Sequence, residues 1–346
     1  MRRRRMLAAA VTVGCTMAVG PVAVADVVPS SSAELRFGDL TRVGVHNAYE
    51  TFRYPHLVDA LDDGAGMVEI DVWTNPLGRG WRVSHENPIG NDNNCTDGTG
   101  FVASTGSASG FGDLGSCLDD LRLWHDSNPG HRPVVVKLEM KDGFAAGTGR
   151  GPADLDRLIR DRLGGTVFGP AELIGNAASL DDAVRAGHWP SSADMAGRFV
   201  IELIPGTVEK TVPINRLTSD VEYAQHLRTL HDSDRFDSAT VFPAVHGFDQ
   251  GDARGARFGA DLAGWFVVFD GDASDLLSSD SRWYRDGGYL VVATDAYAVE
   301  PPIDGVSPTP EQAIARVQLL AAHSATIVSS DWVGLPQVMT MELPRG

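Results

Sequence analysis

The sequence predicts a (β/α)8 barrel of the TIM type, and three observations carry that prediction. Short runs rich in Val, Ile, Leu and Phe recur eight times along the chain. The stretches between them are long enough for a helix with its loops. Run after run ends in a His, Asn, Glu or Asp, at the strand end where a parallel barrel gathers its site.

Taken in order, the strand runs are 42–46, 67–73, 133–140, 198–204, 240–246, 265–270, 289–295 and 326–331. They are continuous rather than alternating, as expected of strands that helices cover on the outside. Helices are expected at 55–63, 115–125, 154–163, 221–230 and 311–323. An extra run at 81–85, directly after the second strand, predicts a β-turn-β excursion at its C-terminal end. With no internal repeat and no low-complexity linker, residues 26–346 are expected to form one barrel domain.

Composition excludes several classes. The 346 residues carry 29 basic and 46 acidic side chains, a formal charge of −17, which is the wrong sign for nucleic acid. The apolar runs are too short for a polytopic membrane protein. Residues 1–25 read as a signal peptide: Arg2 to Arg5 form a basic region, Met6 to Gly20 an apolar one, and Ala23-Val24-Ala25 a cleavage site. A secreted, monomeric protein without a transmembrane segment is therefore expected. Cys15 is lost with the leader. Cys95 and Cys117 remain and are expected to close a disulfide in an oxidising compartment. The segment from Asn93-Asn94 just before the first cysteine through Gly106, Ser107 and Gly112 is rich in turn formers and cannot order itself by burial. A metal-bound thiolate pair is the rival reading, but the Cys-x-x-Cys spacing is missing.

The chemistry concentrates in His46-Asn47-x-Tyr49, Glu69-x-Asp71, His85 and Glu139. Glu69 and Asp71 stand two apart on a strand and share a face. Two carboxylates that close repel each other unless a cation sits between them. Asn47 and Glu139 add two more oxygens, a donor set that suits Ca²⁺ better than Zn²⁺ or Mg²⁺. His46 and His85 supply groups that titrate near neutral pH, as phosphodiester cleavage requires. Lys137 shares the inward face of Glu139, either to contact a phosphate or to balance the acids. Asp270, Asp295 and Asp331 fit helix caps as readily as a site.

Gly44-Val45-His46-Asn47-Ala48-Tyr49, Val68-Glu69-Ile70-Asp71-Val72-Trp73, Val83-Ser84-His85 and Val136-Lys137-Leu138-Glu139 together resemble the catalytic barrel of phosphoinositide-specific phospholipase C. The closest likeness is to its secreted, calcium-dependent bacterial branch, and it is specific over about residues 40–140. Ala325-Thr326-Ile327-Val328-Ser329-Ser330-Asp331 is similar to the family's last strand. The resemblance implies Ca²⁺ on Asn47, Glu69, Asp71 and Glu139. It further implies that His46 stabilises the pentacovalent transition state, that His85 protonates the diacylglycerol oxygen, and that an activated inositol hydroxyl attacks phosphorus to give a cyclic inositol phosphate. Glu69 or Glu139 would take the hydroxyl proton. The substrate would be a phospholipid at a membrane surface, met by loop aromatics such as Trp73, Trp81, Trp283 or Tyr284. The chain departs from the family where later strands present basic residues to the headgroup: it has Glu202 on the fourth and Ala293-Thr294-Asp295 on the seventh.

Three other readings compete. A glycerophosphodiesterase or sphingomyelinase D also places Glu-x-Asp and two histidines at a barrel mouth, but does not require Asn47. Glycoside hydrolysis by Glu139 and Glu202 leaves His46, Asn47 and His85 unexplained. A silent headgroup-binding barrel leaves both histidines without a task.

Overall fold

All eight apolar runs form strands in the computed structural model, which describes residues 32–74, 81–87, 89–96, 112–211 and 217–346. The predicted leader at 1–25 and the middle of the cysteine loop, 97–111, lie outside the described residues. The strands are β1 (Leu40–Val45), β2 (Met67–Trp73), β3 (Arg82–Val83), β4 (Val134–Met140), β5 (Phe199–Pro205), β6 (Val241–His246), β7 (Val268–Asp272), β8 (Leu290–Thr294), β9 (Ile327–Ser330) and β10 (Glu342–Pro344). Their order is β10-β1-β9-β8-β7-β6-β5-β4-β2-β3, with β1 also paired to β2. That last parallel pairing, Gly44 with Met67 and Val45 with Val68, closes an eight-stranded barrel. Closure needs the glycine, because a Cβ on Gly44 would lie 2.8 Å from the Cβ of Met67.

Helices cover the barrel where the spacing predicts them, at Leu114–Ser127, Pro152–Leu163, Ser219–Asp232 and Pro310–Ala322. Their starts are written locally. The Asp113 side chain accepts from Ser116 N–H, and Thr309 with Gln312 forms a capping box around Pro310. The run at 55–63 contracts to one turn, Asp59–Asp62.

Two strands lie outside the barrel cycle. β3 runs antiparallel to β2, with Val72 opposite Val83, and is the predicted excursion. β10, antiparallel to β1, is not foreseen by the sequence reading. Its neighbour Arg345 is buried and donates to the carbonyls of Ser324, Gly38 and Tyr289, so its desolvated guanidinium is met by backbone oxygens.

Cys95 and Cys117 form the expected disulfide. Asparagines order its first arm: Asn93 Nδ2 donates to Val83 O and Gly112 O, and Asn94 Nδ2 to Ala48 O and Tyr54 O. The bridge thus ties the chain after β3 to the helix Leu114–Ser127, while Asn94 ties it to the turn after β1. Cross-linking residues 22 apart contributes about 3 kcal/mol. Replacing both cysteines by serine should lower the thermal midpoint accordingly, and dithiothreitol should do the same to the unaltered protein. Equal midpoints with and without reductant would deny the bridge that role.

Candidate active site and metal centre

Parallel register sets side chains of neighbouring strands in layers inside a barrel. Glu69 is level with Lys137, and Lys137 with Glu202. Two residues nearer the C-terminal strand ends, Asp71 is level with Glu139. Alternation along each strand aims all five inward.

The lower layer balances its own charge. Lys137 Nζ lies 2.7 Å from Asp270 Oδ2 and 3.3 Å from Glu69 Oε1, in a space sealed from solvent. Burial alone would discharge this ammonium, but Asp270, Glu69 and Glu202 outweigh it and hold it charged well above the ordinary lysine range. Burial, then the charge of Asp270, pushes Glu202 well above the carboxylate range. Of the two roles open to Lys137, the geometry supports charge balance. Asp270 is its partner and not a helix cap; the cap after β7 is Asp272, which accepts from Ser274 N–H. A glycosidase pair of Glu139 and Glu202 is not supported, since Glu202 is buried in the lower layer, where no substrate reaches it.

The upper layer is less settled. Oxygens of Glu69, Asp71 and Glu139 lie within 4.8 Å of one another. Lys141 Nζ is 3.0 Å from Asp71 Oδ2 and 3.1 Å from Glu139 Oε1. Even so, burial and the charges of Glu139 and Glu69 push Asp71 up to about 7. Burial also acts to raise Glu139, but Lys141 and Lys137 outweigh it and hold this carboxyl below its usual range. Thr207 N–H donates to Glu139 Oε1 at 3.3 Å. Asn47, at φ 51° in the left-handed region that asparagine tolerates, ends β1 with its side chain buried. Asn47 Oδ1 and Asp71 Oδ1 are buried without a hydrogen-bond partner. Burial and the charge of the nearby Asp71 keep the Tyr49 phenol protonated. Unpaired buried oxygens in an all-oxygen donor set fit a hard cation such as Ca²⁺.

His46 joins the layers to solvent. Its Nδ1 is 2.7 Å from Asp331 Oδ1, and its Nε2 is 3.8 Å from Glu69 Oε2. Burial would lower its pKa, but Glu69 and the hydrogen bond to Asp331 raise it to about 9. Arg53 Nη2 meets the same Asp331 oxygen at 3.1 Å, and its Nε pairs with Glu50 at 2.9 Å. Asp331 is therefore a site residue, and so are Lys141 and Arg53, which the sequence reading passed over. Lys141 carries a legible signal, standing two residues beyond Glu139 on the same inward face.

His85 comes to the mouth through the β2–β3 hairpin, because Ser84 N–H donates to Asp71 O at 3.4 Å. It is exposed on a cavity of about 680 Å³ that Glu50, Phe52, Asn87 and Asp92 also line. The structure thus gathers His46, Glu69, Asp71, Glu139 and Lys137 around the barrel axis and sets His85 at the adjoining opening.

A family model described as Ca²⁺-dependent phosphoinositide phospholipase C matches residues 39–219. A solved Ca²⁺-dependent phosphatidylinositol-specific phospholipase C from Streptomyces antibioticus is 51% identical, covers 90% of this chain and 99% of its own, and superposes with a TM-score of 0.86. The chain belongs to the Ca²⁺-dependent phosphoinositide phospholipase C family. A calcium-dependent phosphoinositol-specific phospholipase C from a Pseudomonas species shares the fold at 21% identity and a TM-score of 0.65, over 90% of this chain and 96% of its own. Among curated protein sequences none matches. Family membership sets aside the glycerophosphodiesterase and sphingomyelinase D reading.

In this phospholipase C, Asp331 fixes the ring of His46 through Nδ1. Asp331→Asn should lower kcat by about a hundredfold or more while leaving KM and the melting curve close to those of the unaltered enzyme. Steady-state kinetics with calcium in excess would show it, and an unchanged kcat would remove Asp331 from that role.

Proposed function

We propose that this phospholipase C cleaves the phosphodiester of phosphatidylinositol at a lipid surface, with His46 and His85 as catalytic residues and Asn47, Glu69, Asp71 and Glu139 as the calcium ligands. One observation carries the reading: a histidine fixed by a carboxylate stands 3.8 Å from Glu69, a member of the carboxylate trio, so proton chemistry and a cation site share one opening. When bound, calcium would offset most of the charge of the trio and lower the pKa of an oxygen ligand.

The protein's own groups supply the rest. With Nδ1–H donated to Asp331, the charged His46 has Nε2–H left for a phosphate oxygen, where negative charge grows in the transition state. His85, exposed on the cavity, is placed to give a proton to the departing diacylglycerol alkoxide. Attack by the neighbouring inositol hydroxyl forms the new P–O bond as the glycerol one breaks, and Glu69 or Glu139 takes the hydroxyl proton. The nucleophile sits in the same molecule, which makes the step effectively unimolecular and the product a cyclic inositol phosphate.

Apolar side chains at the mouth suit a bilayer. Phe52, Ile89, Val208 and Val306 are exposed; Phe52, Ile89 and Val306 lie in loops and Val208 in the short helix Thr207–Thr211, each after a strand of the barrel or its β3 hairpin. These replace the aromatics expected from sequence: Trp73, Trp81 and Tyr284 are buried, and Trp283 packs on Tyr289 and Phe269. Phe52 lines the same cavity as His85. Among the described residues no helix is long and apolar enough to cross a membrane. The Arg2–Arg5 leader and the Cys95–Cys117 disulfide support an exported enzyme, and one chain carries every assigned residue, which supports a monomer.

The direct test measures release of water-soluble phosphate product from phosphatidylinositol, phosphatidylcholine and sphingomyelin vesicles. Activity should be confined to phosphatidylinositol, vanish in chelator and return with calcium, and His85→Ala should abolish it with an unchanged circular dichroism spectrum. Turnover of phosphatidylcholine or sphingomyelin, or full activity in chelator, would overturn the assignment. The double variant F52S/I89S should sediment less with phosphatidylinositol vesicles and lose activity on them, while keeping its activity on a soluble short-chain substrate. Equal losses on both substrates would place these residues elsewhere than at the bilayer.

A further inference from the structure

The two buried lysines of the site hold different kinds of partner. Lys137 bridges Glu69 and Asp270, and Asp270 lies outside the carboxylate trio. Both partners of Lys141, Asp71 at 3.0 Å and Glu139 at 3.1 Å, are members of the trio. Calcium takes carboxylate oxygens at about 2.3–2.6 Å. An ammonium that keeps its own contacts to the same two carboxylates would stand against a dication with no screening water between them.

The chain around Lys141 separates its backbone from its side chain. The N–H of Lys141 donates to Val72 O, and its carbonyl accepts from Glu209 N–H, so the main chain is pinned just past the end of β4. Gly206 packs against it so closely that a Cβ there would lie 2.7 Å from the Lys141 Cα. The four-carbon stem keeps its rotatable bonds and ends in a point charge that needs no fixed orientation. Glu139 keeps a donor of its own, Thr207 N–H, when the ammonium leaves.

We propose that Lys141 is a tethered counter-ion that calcium displaces from Asp71 and Glu139, so that the calcium affinity of this enzyme is set by competition with its own side chain. The inference rests on the calcium site assigned above. Without calcium, Lys141 keeps two buried carboxylates paired; with calcium, the ion takes over both contacts and the ammonium swings clear. Lys137, anchored by Asp270, stays in place in both states.

Calorimetric titration of calcium into the purified protein without substrate tests this. Lys141→Met should bind calcium at least about tenfold more tightly than the unaltered enzyme, and calcium should raise its melting temperature further. Lys141→Arg, which restores the charge, should bind no more tightly than the unaltered enzyme. If Lys141→Met does not fold in chelator, Lys141→Gln is measured in its place with the same expectation. Calcium binding by the unaltered enzyme with no gain in the neutral variant would overturn the competition alone. Absence of calcium binding in both would overturn the metal site and this inference with it.

Discussion

Buried carboxylates repel one another, and the interior of this barrel is arranged around that repulsion. Glu69, Asp71, Glu139, Glu202 and Asp270 all project into a space with little solvent. At about 4 kcal/mol for a pair of unit charges 4 Å apart near a protein surface, five ionised acids could not coexist there without cations or protons. Lys137 and Lys141 supply two positive charges, Glu202 is pushed well above the carboxylate range, and Asp71 up to about 7. What is left over is a deficit of positive charge beside Asn47 and Asp71, whose unpaired oxygens fit a further cation.

The scaffold serves this arrangement by fixing register. Pairing of β2, β4 and β5 sets which acid meets which lysine, and a slip of one residue would turn every one of these side chains into the helical shell. Gly44 lets β1 approach β2 closely enough to close the cycle, which brings His46 at the end of β1 within 3.8 Å of Glu69 on β2. The short hairpin to β3 carries His85 back over Asp71, and the Asn-rich arm of the disulfide loop anchors that hairpin to the turn after His46. Site residues contributed by separate strands are thus held by backbone pairing more than by contacts with each other.

Much of this was legible because parallel strands buried on both faces leave continuous apolar runs, and because period-two alternation puts Glu69 with Asp71 and Lys137 with Glu139. The illegible parts depend on distant partners. Asp331 at a strand end reads identically whether it caps a helix or holds His46, and the partner that decides the matter is 285 residues away. Asp270 is ambiguous in the same way until Lys137 is seen beside it. Trp73 looks like a loop aromatic, yet its indole N–H donates to Ser84 O and the ring is buried under the hairpin. Phe52 and Ile89 are isolated apolar residues among polar neighbours, with nothing in their local sequence to say that their loops share the mouth. β10 has three residues, of which one is an apolar Leu, too little for any periodicity to register.

Glu69 is the residue that couples the two layers, and its position explains why His46 has a second carboxylate. Oε1 of Glu69 meets Lys137 at 3.3 Å while Oε2 faces His46 at 3.8 Å. A cation on the trio would draw on the same carboxylate, so a histidine that relied on Glu69 alone would lose its partner whenever the metal site filled. Asp331 stands outside the trio, is held below the usual carboxylate range by His46 and Arg53 against the effect of burial, and bonds Nδ1 at 2.7 Å. The ring orientation is thereby fixed through Nδ1, the nitrogen that does not face Glu69. The charge state of the upper layer can then change with its occupant while the geometry of the histidine does not, which is the condition for metal and imidazole to act on one phosphate without competing for one carboxylate.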